Sequence, residues 1–165
     1  MGESGYYVLF DSSDMEGNRL DYNYNSPRYN KIQELLSRSR IKRIIEIGDR
    51  SGLILNRITS GKTPEDIEYL EEGTPFVGAT NVLNYHVDLT SAPRVSKEIH
   101  ETVLQSSQIK RNNVLITMAG VGLGRCAVFE SDSECNCNQA VAILEVNTRE
   151  ISPEYLTCLL YTSDA

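Results

Sequence analysis

The sequence predicts an α+β fold: a mixed, largely antiparallel sheet with a few flanking helices. Three observations carry this expectation. The apolar runs, such as Val114-Leu115-Ile116 and Ala140-Val141-Ala142-Ile143-Leu144, are the length of strands. Two Ser-Pro pairs, Ser26-Pro27 and Ser152-Pro153, stand where helices begin, with Ser as N-cap and Pro at the first helical position. Strands and helices follow one another without the regular alternation that builds a doubly wound parallel sheet.

Taken in order, residues 1–25 are polar and Tyr-rich and read as a mostly extended arm. A helix is expected from Ser26 to about Ser39, with Tyr29, Ile32, Leu35 and Leu36 at helical spacing. The basic cluster Arg38, Arg40, Lys42 and Arg43 follows, and Ile41, Ile44, Ile45 and Ile47 suggest a short strand ending at Gly48-Asp49. Ile58–Pro64 reads as a strand end and turn, and Thr74–Ala79 as a turn then a strand. Asn81–Val95 is loop-rich. Ser96 can cap a helix that carries Ile99, Val103 and Leu104 on one face and ends near Ser106. Val114–Met118 is a strand, the glycine-rich Ala119–Gly124 a turn, and Ala127–Phe129 a second strand. Residues 130–138 read as a polar loop, Gln139–Val146 as a third strand, and Ser152-Pro153-Glu154 opens a last helix.

The chain has 165 residues, enough for one sizeable core. Sixteen basic against 23 acidic residues give a net charge of −7, which excludes a nonspecific nucleic-acid coat but not a reader with a local basic face. No apolar run reaches the ~18 residues of a membrane helix. The N-terminus lacks a signal-peptide pattern, and Tyr6 breaks the myristoylation motif, so a cytoplasmic location is expected. Cys126, Cys135, Cys137 and Cys158 then read as reduced thiols.

Several motifs invite a chemical reading and fall short of it. Gly61-Lys62-Thr63 has the end of a phosphate-binding loop, but Asn56 stands at the first glycine position and Pro64 opposes the helix that must follow. Gly120-Val121-Gly122-Leu123-Gly124 has the wrong spacing for a dinucleotide fingerprint and leads into a strand; a strand–turn–strand connection is the plainer reading. Cys135-Asn136-Cys137 with scattered Cys126, Cys158, His86 and His100 is a weak metal set. With two histidines, no nucleophile elbow and no amino-methyltransferase motif, no catalytic residue is expected. Glu65, Asp66, Glu68, Glu71 and Glu72 read as a solvated acidic segment, and the basic clusters as ordinary surface charge or as phosphate contacts.

In their order, the segments resemble the target-recognition domain of a type I restriction-modification specificity subunit. The resembling pieces begin with Arg19-Leu20-Asp21-x-x-Tyr24-x-x-Pro27-x-Tyr29, Ile58–Pro64, and Gly73–Val77 continuing to Thr80-Asn81-Val82. They continue with Asn113–Gly120, Asn138-Gln139-Ala140-Val141-Ala142 and Ser152–Leu156. Together they cover about residues 18–160. Asn112-Asn113 departs from the family's Gly-Asp before the Val114 strand. Beside the arm read over 1–25, the resemblance implies a recognition domain over 26–160 and a truncated N-terminal half; residues 161–165 themselves look like adapter read-through and are read as a non-native tail.

The same resemblance implies a sequence-specific DNA reader of one half of a bipartite site, without catalysis of its own. Double-stranded DNA, methyltransferase subunits and a restriction/translocase subunit are the implied partners. S-adenosylmethionine, ATP and magnesium belong to those partners, and no cofactor to this chain. The DNA-facing candidates are Ser60, Lys62 and Thr63 on one turn, Asn81 and Asn84 on a loop, Arg125 after the glycine turn, and Asn138 and Gln139 before a strand. Each has a structural alternative; Asn138-Gln139 can simply bond loop backbone. Two other readings stay open: a recognition module of a fused restriction enzyme–methyltransferase, and a small nucleotide-binding protein using Gly120–Gly124.

Overall fold

The computed structural model describes residues 34, 38, 47, 52 and 54–163. The expected arm, most of the first helix and the Ile41–Ile45 part of the first strand lie outside the described residues, as does the Arg19–Tyr29 segment. Glu34 and Arg38 are helical and form an i,i+4 ion pair at 2.6 Å. Ile47, expected at the end of a strand, lies in a turn.

From Leu55 onward the chain builds two four-stranded sheets. The first takes β1 (Leu55–Ser60), β7 (Asn113–Thr117), β8 (Cys126–Val128) and β10 (Val141–Val146), in the order β1-β10-β7-β8, all antiparallel. The second takes β2 (Thr74–Val77), β5 (Arg94–Val95), β6 (Gln108–Ile109) and β9 (Cys135–Cys137), in the order β5-β2-β9-β6. Its β2–β9 pair is parallel and the other two antiparallel, so the fold is α+β with mixed, largely antiparallel sheets. A small hairpin joins β3 (Val82–Leu83) to β4 (His86–Val87).

The alternation of side chains sorts the core into layers. Leu115, Ala127, Val141 and Ile143 of the first sheet meet Val77, Ile109, Cys135 and Cys137 of the second. Val114, Val128, Leu144 and Val146 point the other way, onto Leu156 of helix α2 (Pro153–Ser163). Phe76 and Val95 turn outward from the second sheet onto Leu104 and the half-buried Ile99 of helix α1 (Lys97–Glu101). Helix, sheet, sheet and helix thus stack in sequence. β7 and β10 are covered on both faces, which is why they read as unbroken apolar runs; β1, an edge strand, is exposed over most of its length.

Both helix starts follow their caps. Ser96 Oγ accepts from Ile99 N at 3.2 Å and Ser152 Oγ from Tyr155 N at 3.1 Å. Helix α1, expected to reach about Ser106, is shorter. It ends at Glu101, where the Thr102 hydroxyl donates back to Glu98 O, and a 3₁₀ turn (Gln105–Ser107) completes the segment. Val103, expected on the apolar face, is exposed, whereas Leu104 is buried.

The expected polar loop over 130–138 contains a buried central strand, β9. Cys135 and Cys137 both face the inner core, and Asn136 between them is fully buried. Asn136 is held there by a complete set of partners. His100 Nδ1 donates to its Oδ1 at 2.6 Å, and its Nδ2 donates to Leu104 O at 2.9 Å. Asn136→Ala would leave the buried His100 Nδ1–H unsatisfied, while Leu104 O keeps its bonds from Ser107 N and Oγ; the expected cost is about 2 kcal/mol, read by urea unfolding.

Burial pushes the thiols of Cys135 and Cys137 up to about 12, with a nearby thiol adding to the rise at Cys137. Since the thiolate is the reactive form, a thiol reagent at neutral pH is expected to label exposed Cys158 and spare Cys126, Cys135 and Cys137 until the chain unfolds. Fast labelling of two or more thiols in the native protein would contradict this packing.

Candidate nucleic-acid interface

The strand registers bring four loops to one end of the stacked sheets. In the first sheet Ser60 pairs with Ala142, Val141 with Thr117, and Ile116 with Cys126. In the second, the parallel β2 and β9 end together at Val77 and Cys137. Loops 60–63, 78–81, 118–125 and 138–140 therefore share an end. Main-chain bonds tie them: Gly61 N to Val141 O at 2.9 Å, Lys62 N to Cys137 O at 3.1 Å, Asn138 N to Val77 O at 3.0 Å, and Met118 N to Ala140 O at 2.7 Å.

Gly61 makes this assembly possible. It is buried, and a Cβ there would lie 2.1 Å from Asn138 O. Its function is close backbone approach rather than phosphate binding. The amides of Gly61 and Lys62 are already bonded to carbonyls and do not face an open cradle. The glycine loop is a strand–turn–strand connection closed by Gly124 N to Thr117 O and Arg125 N to Gly122 O, both at 2.9 Å. It opens a strand, not the helix a dinucleotide site needs.

The candidate residues divide by position. Ser60 and Lys62 are exposed, and Thr63 is half-buried with its hydroxyl donating to the side-chain oxygen of exposed Gln139. Asn138 is half-buried and shapes its turn by accepting from Ala140 N at 3.0 Å. These five residues form one patch. Arg125, on the adjoining loop, folds its side chain over Gly122, whose added Cβ would lie 2.5 Å from the Arg125 Cδ. Among the described residues no carboxylate lies within ion-pair distance of Lys62 or Arg125.

Asn81 lies beneath the patch rather than on it. It is buried; its Oδ1 accepts from Gly78 N at 2.9 Å and its Nδ2 donates to Ser91 Oγ at 3.1 Å. Asn84 sits on the β3–β4 turn, apart from the five, and donates to Tyr161 OH of α2 at 3.3 Å. The Tyr85 and Tyr161 rings meet beside it at 5.2 Å.

Met118, Val121 and Leu123 on the glycine loop are exposed, a feature of this end outside the candidate set above. The signal was apolar side chains between glycines, where an exposed turn is ordinarily polar.

The composition of the end is its electrostatic signature. The four loops hold Lys62 and Arg125 and not one Asp or Glu, in a chain of net charge −7. The acidic segment begins only past Pro64. Among the described residues no three His, Cys, Asp or Glu side chains converge as a metal-ligand set, and no helix is long and apolar enough to cross a membrane.

The fold and this end define a class: a layered α+β domain that presents polar and basic loop residues from one end of two stacked sheets. Solved structures of similar fold include specificity subunits. The chain is similar to the HsdS subunit from Thermoanaerobacter tengcongensis, with a TM-score of 0.51 and 19% identity over 83% of this chain and 35% of that one. It also matches the type I restriction-modification S subunit from M. genitalium (TM-score 0.44, 22% identity, 68% of this chain and 25% of that one). A chain from a type I R-M system studied for complex assembly matches at TM-score 0.47 and 16% identity, over 81% of this chain and 34% of that one. The chain spans about a third of the length of the T. tengcongensis subunit. No protein-family model and no curated protein matches the sequence.

Proposed function

We propose that this chain is a target-recognition domain of a type I restriction-modification specificity subunit and binds double-stranded DNA sequence-specifically through the four-loop end. The observation that carries the reading is that end itself: two cations without acid partners among the described residues, set among Ser, Thr, Asn and Gln, with carboxylates absent from all four loops. Lys62 and Arg125 supply phosphate contacts that fix register, and Ser60, Thr63 and Gln139 supply groups for base edges. The shared fold with the HsdS subunit supports the same reading.

In this reading the chain reads one half of a bipartite site and directs methyltransferase subunits, with a restriction/translocase subunit where one exists. Methyl transfer from S-adenosylmethionine and ATP- and magnesium-dependent steps belong to those partners; this chain contributes selectivity.

The test is enrichment from a random duplex library with the purified chain at low salt. Recovery of a motif of about 3–5 base pairs, bound better than a scrambled duplex, is the expected result. Binding with no motif, or none at all, overturns the reading.

A further inference from the structure

We propose that the tip of the glycine loop reads the C5-methyl group of thymine in the major groove, through Val121 and Leu123; this rests on the DNA-recognition reading above. Val121 is 68% exposed and Leu123 71%, both on the loop between the core strands β7 and β8. The loop is preformed: Gly124 N bonds Thr117 O and Arg125 N bonds Gly122 O, so the apolar tip is held out by main-chain geometry.

The chemistry of the tip limits what it can recognise. From Met118 to Gly124 no side chain carries a hydrogen-bonding N–H or O–H group. Such a loop cannot use its side chains to read the donor and acceptor pattern of a base edge. The one apolar feature a base pair presents in the major groove is the thymine methyl. The surroundings select a polyanion over an apolar protein face. Arg125 lies over Gly122 within the same loop, Met118 N bonds Ala140 O beside Gln139, and none of the neighbouring loops carries an acid. Two branched side chains separated by one glycine form a broad contact surface, suited to a methyl group more than to the single blade that wedges between stacked bases.

The test uses the full chain and the duplex recovered by enrichment. Each thymine is replaced in turn by deoxyuridine, which removes the methyl group alone. Loss of one buried methyl is expected to weaken binding about 4-fold at one or two positions. In the double variant Val121→Ser with Leu123→Ser, the same replacement is expected to have no effect, while the salt dependence stays as in the parent chain. The thiol-labelling pattern confirms that the variant is folded. Insensitivity of the parent chain to every deoxyuridine, or an equal loss in the variant, overturns the thymine-methyl assignment and leaves DNA recognition standing. So does a Leu123-dependent bend in the duplex, seen by end-to-end energy transfer, which would make the tip a wedge. A library that yields no motif overturns the recognition reading, and this assignment with it.

Discussion

Replacing Lys62 and Arg125 together by glutamate is expected to weaken duplex binding about 100-fold near 0.1 M salt and to lower the salt slope by about 2. The magnitude comes from counterion release. Each neutralised phosphate adds about 0.9 to the slope of log affinity against log salt, or roughly 8-fold between 1 M and 0.1 M salt. Two lost contacts give about 60-fold, and the introduced repulsion adds the remainder. The effect should be concentrated at this end because neither cation is already neutralised by a carboxylate among the described residues. Lys97 and Arg111 supply the matched control. Lys97 lies 3.6 Å from Glu101, and Arg111 lies 2.8 Å from Asp132. Reversing these two changes net charge by the same amount but removes cations that already face acids. Equal losses in the two double variants would mean that net charge, not the loop end, governs binding, and would sink the assignment.

Legibility in the sequence followed the range of the interactions. β7 and β10 were readable because a strand covered on both faces must be apolar throughout, a property of the strand itself. The caps Ser96 and Ser152 were readable because a cap bonds an amide three residues away. β9 was not. Asn136 makes it look like a loop, and the groups that bury it, His100 and Leu104, lie 36 and 32 residues earlier. The site divides the same way. The connections at Lys62 and Asn138 are local and were visible as a turn and the end of a polar loop. That Thr63 meets Gln139, 76 residues on, could not be read from either segment. Asn81 stood among the candidates on polarity alone, and its burial depends on Gly78 and Ser91 satisfying its amide.

Gly61→Ala is expected to cost about 4 kcal/mol or more, a magnitude confined to a few named causes such as severe overpacking. The cause here is space. The new Cβ would lie 2.1 Å from Asn138 O, 2.3 Å from Cys137 O and 2.5 Å from Asn138 C. All three are main-chain atoms, so no side-chain rotation relieves the overlap; β1 or the β9–β10 turn must move by more than about 1 Å to restore ordinary van der Waals contact. That movement takes with it the bonds from Gly61 N to Val141 O and from Lys62 N to Cys137 O. It also separates Thr63 from Gln139, so the variant should lose the proposed DNA-binding patch along with stability. Gly120→Ala separates this mechanism from backbone conformation. Gly120 has φ +86, but its nearest neighbour, Ala79 Cβ, is 3.7 Å from the added atom. The cost there is the left-handed penalty alone, about 1–2 kcal/mol. Urea unfolding of both variants decides the matter. A loss at Gly61 no larger than at Gly120 would mean that β1 does not cross the Asn138 backbone closely, and the loops would not form one surface.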